Sequence, residues 1–326
     1  MIISRTPFRL SLGGGGTDLP DYYREYGGFF ISGAVDRYMY ISVSPSFDRN
    51  TLRVGYSTTE IVSCADEVSH GAAREALRLL GIEGGLEIVS VAEAPPSAGL
   101  GSSASFCVGL LTALHSHLRR QVPQEEVAEE ACHIAIDRLN QPSGKQDEYA
   151  ASLGGICSYE IDRSGRVTAY PLKLSTDTLS ELEASILMFY TGITRSASAV
   201  LGKQQEAIRD GEAAEKMHRI KDLGIRSQDA LVRGDLTEFG ELVREHWWIK
   251  RGVVDGMTAT TIDRWIGKAL DSGALGAKLV GAGGGGFLMA VCNNDRTKLR
   301  RAMSEEGLIE HRFRFDFEGS KVVYNV

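Results

Sequence analysis

The segment Ala94-Pro-Pro-Ser-Ala-Gly-Leu-Gly-Ser-Ser-Ala-Ser-Phe-Cys-Val-Gly-Leu110 passes from extended chain to helix: residues 86–91 before it have strand character, and residues 105–118 after it are apolar with one glycine, Gly109. A loop rich in glycine and serine that opens a helix can aim unpaired backbone N–H groups at an anion, with the positive end of the helix dipole behind them. The chemistry offered is a phosphate cradle. Ser102 and Ser103 stand where hydroxyls can reach phosphate oxygens or a metal, or where they merely cap the helix.

Two further glycine runs invite similar questions. Gly13-Gly-Gly-Gly-Thr-Asp18 cannot serve strand stability, because glycine loses more backbone entropy on folding than any other residue. It marks a tight turn or a close approach of ligand to backbone, with Arg9 before it and Asp18 after it able to face a polyhydroxyl ligand from two sides. Residues 283–286 are a second run of four glycines, between two apolar stretches. Lys145-Gln-Asp-Glu-Tyr149, which follows Pro142-Ser-Gly144, is either a solvated loop or a charged cluster leaning on the small residues 150–155.

The elements that must position these groups can be outlined. A chain of 326 residues exceeds what one core comfortably holds, since single cores stop growing below roughly 300 residues, so two domains are expected, with the boundary near residues 163–173. Residues 1–12 read as a strand interrupted at Pro7, residues 28–44 as two strands, and residues 51–57, 60–64 and 156–161 as further strands, which suggests a mixed or antiparallel sheet. Helices are expected over 21–26, over 72–80 with Gly81 as C-cap, and over 124–140, where apolar residues recur three and four apart. The second half reads as a strand at 184–190 and helices at 197–210, 213–233, 236–251, 261–272 and 297–307. A helix, glycine turn and strand surround the second glycine run, and 312–317 is the final strand.

Composition narrows the partners. A net charge of −7 without a basic run longer than Arg119-Arg120 argues against nucleic acid. Five scattered cysteines with no CxxC pair suggest neither disulfides nor zinc but a reducing compartment. With no signal-like N-terminus and no apolar run of membrane-spanning length, a cytoplasmic protein without membrane contact is expected.

Gly99-Leu-Gly101 with Ala104 matches the dinucleotide fingerprint, but no strand ending in an acidic residue follows the helix, so the ribose-binding carboxylate has no home. A Walker A loop is excluded because serine stands where its lysine should be. What remains is a phosphate-binding helix N-terminus without its own lysine.

Three segments, Thr6-Pro-Phe-Arg-Leu with Gly14-Gly-Gly-Thr-Asp18, Pro95-Pro-Ser-Ala-Gly-Leu-Gly-Ser-Ser-Ala104, and Lys278-Leu-Val-Gly-Ala-Gly-Gly-Gly-Gly-Phe287, resemble in order the three motifs of the GHMP kinases (galactokinase, homoserine kinase, mevalonate kinase, phosphomevalonate kinase). Within them, Gly-Gly-Gly-Thr-Asp18 and Gly144-Lys-Gln-Asp-Glu-Tyr-Ala150 most resemble the heptose 7-phosphate kinase branch, which is related to the kinase part of fucokinase. The resemblance implies an α+β, two-domain fold: a ribosomal-protein-S5-like N-terminal ATP-binding domain, residues 1–165, and a ferredoxin-like C-terminal domain, residues 166–326. It implies ATP and Mg²⁺ as cofactors and a sugar or sugar phosphate as partner, with transfer to the anomeric hydroxyl of a heptose 7-phosphate to give the 1,7-bisphosphate. A kinase for a neutral sugar such as fucose, or a non-catalytic sugar and nucleotide sensor, are the alternatives.

Residue by residue, the resemblance implies a nucleotide-binding loop of Pro96, Ser97, Ala98, Gly99, Leu100, Gly101, Ser102 and Ser103, with Ser103 also reaching Mg²⁺. Asp147 matches the general base, and Arg9 the cation near it that stabilises charge on the transferred group. Gly15, Thr17 and Asp18 would bind the sugar, and Gly283 and Gly284 would close over the cleft. A phosphorylated sugar needs further cations, for which Lys145, Arg195 and Lys250-Arg251 are candidates. One position departs from the pattern: Ala135 stands where mevalonate-kinase-like members carry a metal-binding glutamate, which leaves Asp137 and Glu130 as the nearby acidic candidates.

Overall fold

The computed structural model describes residues 1–95, 98–193, 197–211, 213–253, 260–283 and 285–326. They form two sheets with helices packed against them. The first sheet contains β1 (Ile2–Gly13), β2 (Gly28–Pro45), β3 (Leu52–Gly55), β4 (Thr59–Val62), β5 (Leu86–Ala92), β6 (Ile156–Ile161), β7 (Val167–Pro171) and β12 (Lys321–Asn325). Its order is β12-β1-β2-β5-β3-β4, with β6 beside the first half of β2 and β7 beside β6. The second sheet, β11-β8-β10-β9, is built from β8 (Ile186–Tyr190), β9 (Gly276–Leu279), β10 (Phe287–Val291) and β11 (Ile309–Glu310).

Residues 28–44, expected as two strands, are one long strand. It divides its partners: Gly28 to Gly33 pair with β6, while Met39 to Pro45 pair with β5. The interruption expected at Pro7 is present: the register of β1 against β2 shifts between Pro7, opposite Tyr38, and Phe8, opposite Val35, where a residue without an N–H cannot extend the ladder. The N-terminal half also contains α1 (Pro20–Tyr26), α2 (Gly71–Leu80), α3 (Ser102–His117), α4 (Gln124–Cys132) and α5 (Gln146–Leu153), of which α3 and α5 pack on β1 and β2. Helix α3 is apolar on nearly every side because it is buried on nearly every side, with Phe106, Val108, Leu110, Leu111 and Leu114 in the core. Gly109 allows this: a Cβ there would stand 2.7 Å from Thr6 Oγ1, so only glycine lets α3 lie this close to β1. The expected helix over 124–140 ends as an α-helix at Cys132 and continues as a π-helical turn, His133 to Arg138.

The C-terminal half adds α6 (Thr176–Ser185), α7 (Ala197–Arg209), α8 (Ala214–Arg233), α9 (Leu236–Lys250), α10 (Thr260–Asp271) and α11 (Arg296–Glu305). Where a helix was expected before the second glycine run, the chain forms strand β9. All four of its residues are buried, so no period distinguishes strand from helix. The segment 312–317 contributes a single bridge, Val35 with Phe315, and the last strand is β12, which returns to β1. A division at 165/166 would separate β6 from β7, which pair from Cys157 with Pro171 to Ile161 with Val167; the first sheet therefore runs on to Pro171 and takes back the C-terminus. Among the described residues no helix is long and apolar enough to cross a membrane.

Candidate active site

The central loop forms the α3 N-terminus in an unusual way. Its N-cap is Gly101, with φ +79°, and no side chain caps the helix, so neither Ser102 nor Ser103 takes that role. The first bond into the helix comes from the Ser105 N–H to Gly101 O at 2.9 Å, which leaves the Ser102, Ser103 and Ala104 N–H groups without helix acceptors. Ser103 is exposed, Ser102 half-buried, and both line a cavity of about 520 Å³. An anion site is thus built from orphan donors and the dipole of a 16-residue helix.

Both other glycine motifs pin this loop. Arg9 N–H donates to Leu100 O at 3.1 Å, and Phe287 N–H donates to Ala98 O at 3.2 Å. Gly281 fits against Gly99 so closely that a Cβ on it would stand 2.7 Å from Gly99 O. Ala98 and Leu100 are consequently turned inward and buried, while Gly99 and Gly101 line the cavity. Pro96 and Ser97 lie outside the described residues.

On the facing wall, Asp147 occupies the first turn of α5. The Arg9 guanidinium grips it as a fork, Nε to Oδ1 at 2.7 Å and Nη2 to Oδ2 at 2.6 Å, while Nη1 donates to Gly99 O. Arg9 is buried but the Asp147 side chain is 31 % exposed, so its outer edge opens to the cavity. The fork fixes the carboxylate between the loop and the space where an acceptor would stand.

Asp18 is held in the same cavity by the Gly16 N–H at 2.8 Å and the Gln146 N–H at 3.0 Å, and burial pushes its carboxyl above the usual carboxylate range. Gly15 lies beside it, close to Ser11 and Gln146. Thr17 does not reach the cavity: its hydroxyl is spent inside the turn, donating to Gly14 O and Phe29 O and accepting from Phe29 N–H. Glu148, next to Asp147 in the helix, is buried with Oε2 unpaired, and burial followed by the Asp147 charge raises its carboxyl to about 8. It is therefore a neutral acid at pH 7, which leaves a single net charge on this pair. The folded chain retains this proton where the unfolded chain has lost it, so Glu148 makes stability fall as pH rises from about 4.5 to about 8. Glu148→Gln should flatten that fall by up to about 1.4 kcal/mol per pH unit, read from denaturant unfolding across the window; parallel profiles for the two proteins would place its titration elsewhere.

Several expected ligands are employed elsewhere. Lys145 is two residues from Asp147, about 200° around the helix, and its buried ammonium bonds Glu129 at 2.8 Å and Gly165 O at 2.7 Å instead of the cavity. Asp137 is exposed and pairs with His133 at 2.8 Å, and Glu130 pairs with His115 at 2.6 Å. Gly283 does not line the cavity, which Gly281 and Ala282 reach instead. Arg251 stacks on Trp248, 4.2 Å from the ring centre, outside the cavity. Arg195 and Gly284 lie outside the described residues.

Other residues complete the cavity without having been singled out. His70 and Phe106, with ring centroids 4.5 Å apart, and Leu139 form an apolar end, and Gln204 stands near Gly16 at the opposite, polar end. Burial lowers the His70 pKa, so its ring is neutral there. Only Phe106, one turn into the loop's own helix, carried a positional signal. Lys250, one of the cations named from the sequence and the last residue of α9, lines the cavity as well.

The model of the GHMP kinases N-terminal domain matches residues 66–155, and that of the GHMP kinases C-terminal domain matches residues 227–308. Together they span more than half of the chain. It belongs to the GHMP kinases. The two matched segments meet where the central loop, which follows β5 of the first sheet, abuts Gly281, which follows β9 of the second. This GHMP kinase is similar to a D-glycero-alpha-D-manno-heptose 7-phosphate kinase of Campylobacter jejuni, with 28 % identity over 98 % of each chain. It is 25 % identical to an L-fucokinase/L-fucose-1-P guanylyltransferase of Bacteroides fragilis, over 97 % of this chain and 37 % of that one. Its fold matches the crystal structure of a D-glycero-D-manno-heptose 1-phosphate kinase from Bacteriodes thetaiotaomicron, with a TM-score of 0.81, 25 % identity and full coverage of both chains. The α+β, two-sheet architecture is therefore that of a phosphotransferase of this family that uses ATP.

Proposed function

We propose that this kinase transfers the γ-phosphoryl group of ATP to the anomeric hydroxyl of a heptose 7-phosphate, giving the 1,7-bisphosphate. The observation that carries the reading is Asp147, held by the Arg9 fork beside the uncapped α3 N-terminus, with Asp18 anchored in the same cavity. The triphosphate lies along Gly99 to Ser103, the adenine against His70 and Phe106, and the sugar toward Asp18 and Gly15. Asp147 accepts the proton of the attacking hydroxyl, and Asp18 orients the ring, so that the protein's main contributions are position and charge.

Magnesium fits as a companion of the nucleotide. No group of three acidic, His or Cys side chains among the described residues could hold an ion alone, whereas the exposed Ser103 hydroxyl lies on the phosphate loop. Ser103 would hold the ion together with phosphate oxygens and water, as Mg²⁺ prefers. When bound, it neutralises charge on the β- and γ-phosphates. We place the activity in the cytoplasm, which suits a chain whose five cysteines are free thiols, four of them buried.

The heptose assignment leans on the likeness to the Campylobacter enzyme. A coupled ADP-release assay should show turnover with the heptose 7-phosphate and little with the heptose 1-phosphate, whose anomeric oxygen is blocked. Equal turnover of the unphosphorylated heptose would remove phosphate recognition, and preference for fucose would move the acceptor to a neutral sugar. Sugar and ATP binding with no turnover under Mg²⁺ would make the protein a sensor.

A further inference from the structure

Behind the third glycine motif lies a group of cations that the reaction described so far leaves idle. Lys250 is buried, lines the cavity, and donates from Nζ to Gly281 O at 2.7 Å. Lys278, also buried, donates to Leu12 O at 3.2 Å. Among the described residues neither ammonium has a carboxylate within ion-pair distance. His246, one turn before Lys250 on α9, is buried with Nε2 unpaired, and burial beside the two lysines holds it neutral, so it adds no further positive charge. Buried charges are normally paired, because removing an ammonium from water costs several kcal/mol. Burial lowers the pKa of Lys250 to about 8 and that of Lys278 to about 7, and an anion arriving from outside at the cavity-lining Lys250 would restore the charge that its burial disfavours.

The place of Lys250 says which anion. Gly281, which receives its hydrogen bond, abuts Gly99, and Gly99 O also receives Arg9 Nη1. Lys250 and Arg9 therefore both reach the contact between Gly99 and Gly281. Arg9, however, spends three of its five N–H groups on Asp147 and Gly99, and its charge is matched by Asp147. The loop itself carries no lysine. Lys250 is the cavity-lining cation without a carboxylate partner among the described residues.

We propose that Lys250 is a catalytic residue whose ammonium contacts the transferred phosphoryl group, taking the place of the lysine that the loop lacks. In the step, a lone pair of the acceptor oxygen forms the new O–P bond while the bond from the γ-phosphorus to the bridging oxygen breaks. That electron pair leaves with ADP, and the acceptor proton passes to Asp147. Lys250 gives up no proton; it balances charge on the equatorial oxygens as the group moves.

The inference rests on phosphoryl transfer from ATP, not on the identity of the sugar. Lys250→Met should lower kcat by roughly 10²–10³-fold, with KM for ATP and acceptor within about threefold, and Lys250→Arg should recover most of the loss. The second readout is calorimetric binding of ADP with aluminium fluoride, a planar stand-in for the phosphoryl group: affinity should fall in the Met variant while ADP alone binds as before. Wild-type fluoroaluminate binding would overturn the proposal. So would a rise in acceptor KM at unchanged kcat, which would assign Lys250 to the acceptor's own phosphate. If the Met variant does not fold, Lys250→Gln is read by the same two criteria. Should the wild type turn over no acceptor at all, the proposed sugar fails, and the fluoroaluminate measurement still decides Lys250.

Discussion

Asp147→Asn should reduce kcat by roughly 10²–10⁴-fold, the usual worth of a positioned general base, while ATP affinity changes little. The amide is nearly isosteric but cannot take the proton of the acceptor hydroxyl. It also faces Arg9 with an NH₂ group in place of one carboxylate oxygen, so one arm of the 2.6–2.7 Å fork is lost and a buried guanidinium is left without a counter-charge. Some loss of thermal stability should therefore accompany the loss of turnover. The two effects separate by measurement: ATP titration by calorimetry reports the phosphate loop, and single-turnover kinetics report the chemical step. A folded variant that keeps near-normal kcat would show that another group receives the proton.

Gly144→Ala should be nearly as damaging, through geometry alone. Gly144 does not need a positive φ, but a Cβ on it would stand 1.9 Å from Asp18 Oδ2 and 3.1 Å from the Asp18 backbone carbon. No rotamer of Asp18 relieves contact with its own backbone, so either α5 or the glycine turn must move. Asp18 then loses the Gln146 and Gly16 N–H bonds that orient it. Overpacking of this kind costs ~1–3 kcal/mol. If that cost falls on acceptor binding, kcat/KM for the sugar should drop by roughly 10–100-fold with KM for ATP unchanged. Retention of wild-type kcat/KM in the Ala variant would remove Asp18 as the sugar anchor. Glycine is thus required at 144 by its neighbour in space and not by its own backbone.

The uneven legibility of the site has a physical pattern. Groups whose chemistry depends on the local backbone were readable: the Gly99 to Ser103 loop announces a helix start with orphan N–H groups in its own composition, because such groups are a local property. Long side chains were readable only as candidates. Of the cations named from sequence, Lys145 adjoins the base yet points into Glu129, whereas Lys250, more than 100 residues away, reaches the cavity. Asp137 shows the same limit, since the π-helical turn from His133 to Arg138 shifts the helix phase in a way that no apolar period announces.

The sequence by itself determined the three glycine motifs, the apolar helix that must be buried behind the central one, and the kind of chemistry, because backbone donors, turn residues and burial patterns act over a few neighbouring residues. Tertiary structure alone decided the rest. It brought Arg9 onto Asp147 across 138 positions, spent Thr17 and Lys145 on internal bonds, returned the last strand to the first sheet, and set Lys250 at the cavity with no carboxylate partner among the described residues. A charge has no role until its counter-charges are placed, and in this chain those are set by elements far apart in sequence, as when α9 packs on strands of both sheets.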